Sequence, residues 1–76
     1  MSDLSDLVLA RRLPDLATRK GLRVAAGITQ AELSEYIGVS ATAVHLWETG
    51  KAEPSGIRRL KYVKALDDLK EIVKKW

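Results

Sequence analysis

The chain has 76 residues, with 13 Lys and Arg against 10 Asp and Glu, a formal net charge of +3, one histidine and no cysteine. That length sets one domain, 1–76, near the lower limit for a core that stands unaided, and it must do so without disulfides, thiolate metal sites or a His-rich metal centre. No apolar run approaches membrane-spanning length and the Met1 start lacks a cationic-then-apolar signal pattern, so a cytoplasmic protein with no membrane partner is expected.

Asp3 to Arg12 reads as a short helix. Leu4, Leu7 and Val8 fall at i, i+3 and i+4, acids come early and Arg11-Arg12 late, as the helix dipole prefers. Its leucines, Leu4, Leu7, Leu9 and Leu13, favour a docked helix over a mobile arm. Pro14 pushes Leu13 out of helical geometry and suits the first position of the next helix. That helix runs to about Ala26 and ends at Gly27, with Leu22 and Ala26 inward and Leu16 or Ala17 and Thr18 one to two turns earlier. Arg23 falls on or near the same side, where a guanidinium demands a carboxylate.

Two helix starts follow in close order. Thr29 and Glu32 form a T-x-x-E capping box, flanked by Ile28 and Leu33 as a hydrophobic staple. Leu33 and Ile37 share a face, and Gly38 can take the left-handed conformation that ends a helix. Ser40 caps the next start, with Val39 and Val44 as its staple; Val44 and Trp47 give this helix a buried side and Gly50 stops it. Two short helices joined by a Gly-containing turn make a helix-turn-helix candidate. After a polar turn containing Pro54, Ser55 offers an N-cap for a last helix carrying Ile57, Leu60, Val63, Leu66, Leu69, Ile72 or Val73, and Trp76. This steady pattern predicts one long helix or two collinear pieces, with Asp67-Asp68 as the weak place. The apolar end around Leu69, Val73 and Trp76 is expected to pack within the molecule, over the first helix, rather than to make a small self-contact.

Thr29-Gln30-Ala31-Glu32-Leu33, Gly38-Val39-Ser40, Val44 and Trp47-Glu48-Thr49-Gly50-Lys51, with Pro54 beyond them, resemble the phage repressor and Cro-type (XRE-like) helix-turn-helix family. The resemblance covers about residues 22–66, leaving 1–13 as an N-terminal helical extension and 67–76 as the end of the last helix. It implies an all-α, compact lambda-repressor-like bundle with a central helix-turn-helix. Ser34 departs from the family's usual Ala at the crossing of the two motif helices; it is small enough to fit, with its hydroxyl able to bond the carbonyl of Gln30. The resemblance also implies an ion pair between Arg23 and Glu48.

Catalysis has almost no material here: His45 is the only base titrating near neutrality, no nucleophile–His–carboxylate set can be placed, and nothing suggests a cofactor or metal. An enzyme is set aside. The resemblance implies a small transcriptional regulator that binds double-stranded DNA with the second motif helix in the major groove, its base contacts drawn from Ser40, Ala41, Thr42, His45 and Leu46. Hydroxyls there can donate or accept, and carbon atoms can meet a thymine methyl, but no bidentate Arg–guanine or Gln–adenine pair is available. Backbone phosphates would be met by Gln30 at a helix N-terminus, by Lys51, and by Arg58 and Arg59. The motif helices themselves carry only the acids Glu32, Glu35 and Glu48, so the positive field must come from the flanks: Arg11, Arg12, Arg19, Lys20 and Arg23 before the motif, and Lys51, Arg58, Arg59, Lys61 and Lys64 after it. That acidic motif, with Leu46 outward, keeps open an antitoxin-like or adaptor module that binds protein, and a DNA-bending excision accessory factor is a third reading. With no separate oligomerisation domain, a monomer or weak homodimer is expected, pairing on a near-palindromic operator.

Overall fold

The computed structural model describes residues 4–76, which form five helices and, among the described residues, no strand: α1 (Leu4–Ala10), α2 (Leu16–Ala25), α3 (Gln30–Ile37), α4 (Ala41–Thr49) and α5 (Gly56–Lys74). The expected helix start at Asp3 lies outside the described residues.

The ends of α3 and α4 are the ones their side chains dictate. Thr29 Oγ1 accepts from the Glu32 amide at 3.0 Å and Glu32 Oε1 accepts from the Thr29 amide at 2.9 Å, closing the capping box. Gly38 ends α3 in the left-handed region (φ 88°), and Ser40 Oγ accepts the Ala43 amide at 3.1 Å to open α4. Gly50 ends α4 at φ 77°, where a side chain would also strike Leu16: a Cβ there would stand 2.8 Å from Leu16 Cδ1. The left-handed φ makes glycine the residue for that position, since the end of the exposed Leu16 side chain can turn aside.

Leu33, Ile37, Val44, Trp47, Tyr62, Ala65, Leu66 and Leu69 form the central cluster, with the staple residues Ile28 and Val39 packed against it. The rings of Trp47 and Tyr62 meet at 4.9 Å between centroids, tilted by 42°. α5 runs unbroken through Asp67-Asp68 and packs against α1, α2 and α3. Because three helices cover it, its buried face is wider than a simple i, i+3 row: Tyr62 and Ala65 are buried beside Leu60, Val63, Leu66 and Leu69, while Ile57, Ile72 and Trp76 lie exposed. Trp76 therefore does not cover the first helix.

Other expectations need correction. Asp15, not Pro14, controls the start of α2: its carboxylate accepts the Thr18 amide at 2.8 Å, and Pro14 stands one residue before this cap. Ser55 occupies the N-cap backbone position of α5, but its hydroxyl makes no capping bond and a left-handed Gly56 (φ 57°) follows it. Ser34 is buried at the crossing, and its Oγ donates at 2.6 Å to the carbonyl of Ala31 rather than Gln30, the i−3 acceptor instead of the i−4. α1 docks on α5 by the opposite side to its apolar stripe. Leu9 and Ala10 are half-buried and Arg59 Nε donates to the Ala10 carbonyl at 2.7 Å, so Leu4, Leu7 and Val8 face outward.

Candidate nucleic-acid interface

α4 is two-sided. Val44, Trp47 and Glu48 are buried, whereas Ser40, Ala41, Thr42 and His45 are exposed on or just before it, and Leu46 is half-buried. The inner side is fastened by charge as well as by packing. Arg23 Nε donates to Glu48 Oε2 at 2.6 Å and its Nη2 to Oε1 at 3.0 Å, while its Nη1 reaches the Ile28 carbonyl at 2.9 Å. Only 2% of the Glu48 side chain and 11% of Arg23's remains exposed, so neither charge has water to fall back on. Burial pushes the Glu48 carboxyl up, but the bonds from Arg23 and Gln30 and the charges of Arg23 and Lys20 outweigh it and hold it below the usual carboxylate value.

A second buried arginine works one turn earlier. Arg19 Nε donates to the Pro14 carbonyl at 2.7 Å, its Nη1 to the Trp47 carbonyl at 3.0 Å, and the two Nη atoms grip Glu53 at 2.9 and 3.3 Å. Arg19 thereby ties the last turn of α4 and the segment after it to the start of α2. The sequence reading placed Leu16, Ala17 or Thr18 on this face, and all three are exposed. The available signal was the spacing Arg19, Leu22, Arg23, Ala26, an i, i+3, i+4, i+7 stripe in which two members happen to be charged.

These pairings redraw the field that the flanks supply. Arg19 and Arg23 are spent inside the molecule. Arg59 is committed to the Ala10 carbonyl and stands 3.9 Å from Glu53, which turns its Nε away from any outside partner. Lys51 is exposed directly after α4, held there because its amide, like that of Gly50, donates to the Leu46 carbonyl. Arg58 is exposed and lines a hollow of about 410 Å³ with Gly38, Val39, Ser40 and Ala43, so it stands beside the turn that feeds α4. Lys20, a residue the sequence reading assigned no contact, is exposed and close enough for its charge to act on Glu48.

Gln30 opens α3 but its amide group is directed at α4: Nε2 donates to Glu48 Oε1 at 3.1 Å and lies 3.5 Å from His45 Nδ1. It links the exposed face of α4 to the buried ion pair. Among the described residues no His, Cys, Asp and Glu cluster could hold a metal ion, and no helix is long and apolar enough to cross a membrane.

A helix-turn-helix family model matches residues 20–72, most of the chain, including all of α3 and α4 and the ion pair from Arg23 of α2 to Glu48 of α4. The chain belongs to the helix-turn-helix family, of the XRE-like kind that includes repressors and Cro proteins. None of the curated proteins or solved structures compared with it matches. As a helix-turn-helix protein it falls among DNA-binding regulators, and the match begins at Lys20, so α1 and the first turn of α2 lie outside the shared core.

Proposed function

We propose that this helix-turn-helix protein is a small repressor- or Cro-like transcriptional regulator that binds double-stranded DNA sequence-specifically, with α4 in the major groove. The observation that carries the reading is the division of α4: its inner side is locked by Arg23 and Arg19, and its outer side presents short polar and apolar groups that the described residues leave exposed at Ser40, Ala41, Thr42 and His45 and half-exposed at Leu46. A reading helix must be held rigidly to discriminate bases, because phosphate contacts position the protein and base edges specify the site.

In this reading Ser40, Thr42 and His45 offer hydrogen bonds to base edges, and Ala41 and Leu46 offer carbon to thymine methyls. Lys51 and Arg58 grip phosphates on either side, with Lys20 added to them, and Gln30 turns from Glu48 toward a phosphate at the α3 N-terminus. Arg59 is assigned to anchoring α1 and not to DNA. Without a bidentate arginine on α4, selectivity rests on methyl contacts, bridging water and the shape of the site more than on a strong base code. Such a protein works in the cytoplasm, without cofactor, as a monomer or weak dimer that pairs on near-palindromic sites with half-sites ~34 Å apart.

Selection of preferred duplexes from a random pool tests this directly. The expected result is an enriched motif whose affinity falls steeply with salt, since several cationic contacts release counterions. An unenriched pool, or binding to a protein partner indifferent to salt, assigns the surface to an interaction module instead.

A further inference from the structure

Away from α4, α3 and the C-terminal half of α5 enclose an open groove of about 490 Å³. Its floor is apolar, with Leu33, Leu69 and Ile72, and Tyr36 stands over one side with its hydroxyl bonded to Asp68 at 3.1 Å. The charged groups that line it, Glu32, Asp68 and Glu71, are all acids. An apolar floor calls for an apolar occupant, and lining charges that are all acidic call for one that carries cations, although Lys61 and Lys64 line the adjoining hollow beyond Tyr36 and Asp68. The rim also rules out the simplest use of the groove. Two copies paired groove to groove would set three carboxylates against three, and like charges brought together are costly.

The same chain carries a surface with the missing chemistry. Leu4, Leu7 and Val8 form a stripe at i, i+3 and i+4 on α1, exposed at 74%, 45% and 54%, and the stripe continues into exposed Arg11 and Arg12. That face is free while α1 stays docked on its own α5, because the docking uses Leu9, Ala10 and the bond from Arg59. We propose that α1 of one copy seats its Leu4–Leu7–Val8 stripe in the α3–α5 groove of a second copy, with Arg11 and Arg12 against Asp68 and Glu71.

The two patches are different parts of the surface, so the contact is head-to-tail rather than self-complementary. With three apolar side chains at its centre it belongs with small, transient interfaces, below about 1,200 Å². Association is therefore weak and concentration-dependent. It needs no DNA, and it is a contact separate from the two-fold pairing on near-palindromic sites proposed above.

Sedimentation of the full chain without DNA, from micromolar to millimolar protein, is the test. The average mass is expected to rise with concentration. Arg11→Glu with Arg12→Glu, and separately Asp68→Lys with Glu71→Lys, should each weaken association by about tenfold or more, each pair of reversals turning attraction into repulsion. Mixing the two variants in equal amounts should restore it, because the unaltered α1 of one then meets the unaltered groove of the other, and reversed α1 meets reversed groove. Circular dichroism checks that both fold, and Leu7→Asn with Val8→Asn, on exposed positions, reaches the same contact without touching Tyr36. A chain that stays monomeric at millimolar concentration overturns the proposal and leaves the groove to a basic segment of another protein. Association that ignores both charge reversals, or that mixing fails to restore, overturns it equally.

Discussion

Arg19 and Arg23 stand one turn apart on α2, both buried, and each holds a glutamate with two guanidinium nitrogens, yet the glutamates live in different surroundings. The Glu48 side chain is 2% exposed and accepts from Gln30 as well, whereas 52% of the Glu53 side chain faces water. Burial decides what each pair is worth. Glu53 keeps much of its hydration, and Arg19, its side chain only 8% exposed, has the carbonyls of Pro14 and Trp47 as acceptors besides its charge partner. Nothing can replace Glu48 for Arg23, and the difference shows that matching hydrogen-bond geometry does not mean matching energy.

The largest effect expected from this contrast belongs to the inner pair. Arg23→Ala, leaving a buried carboxylate without its partner, should cost ~3–5 kcal/mol in urea unfolding; a loss below ~1 kcal/mol, the range of exposed pairs, would break the comparison. Arg19→Ala comes next, at ~1–3 kcal/mol, through two carbonyls left without a donor. Glu53→Gln should cost less than either, because Glu53 itself is half-exposed, the amide oxygen can still accept from Arg19, and Arg19 keeps its bonds to the two carbonyls.

Acid sharpens the same comparison. Bonds and charge from Arg19, opposed by slight burial and helped by Arg59, hold the Glu53 carboxyl below its usual value, and the Glu48 carboxyl is held low as well. A carboxyl whose folded pKa is depressed contributes stability that is present above its unfolded pKa and is lost as pH falls through the folded value. Stability should therefore decline as pH drops below the ordinary carboxylate range, and Glu48→Gln and Glu53→Gln should each flatten that decline. A decline that neither change alters would mean that neither carboxyl is held low by its arginine.

How much of this was legible in the residues follows from how local each cause is. The caps at Thr29 and Ser40 and the left-handed stops at Gly38 and Gly50 involve neighbours within a turn, and sequence spacing reveals such features. The Arg23–Glu48 pair joins residues 25 apart in sequence, and it came into view through the family resemblance and the need of a guanidinium on an inner face. The inner role of Arg19 escaped because a charged residue between apolar ones reads as solvated until the fold brings it the carbonyls it serves, and Arg59, expected on a phosphate, meets the Ala10 carbonyl only once α1 docks. Tyr62 escaped because the i, i+3 row on α5 steps past it; it is fully buried, its hydroxyl has no partner among the described residues, and burial pushes it up to about 12. The outward turn of α1 was hidden for the converse reason: its most regular apolar stripe is the one that its own bundle leaves uncovered. For the candidate site, exposure of Ser40, Ala41, Thr42 and His45 followed from the spacing of Val44 and Trp47, whereas the link from Gln30 to Glu48 required coordinates.

The central claim is that α4 reads bases while cations outside it hold the backbone, and affinity measurements on a panel of selected duplexes, with Thr42→Ala and Lys51→Ala beside the unaltered chain, test it most directly. Thr42→Ala should reorder the preferred sites, whereas Lys51→Ala should weaken all of them alike and lower the slope of log affinity against log salt by about one. Identical effects of the two substitutions on every sequence, or no binding to any duplex at low salt, would contradict it.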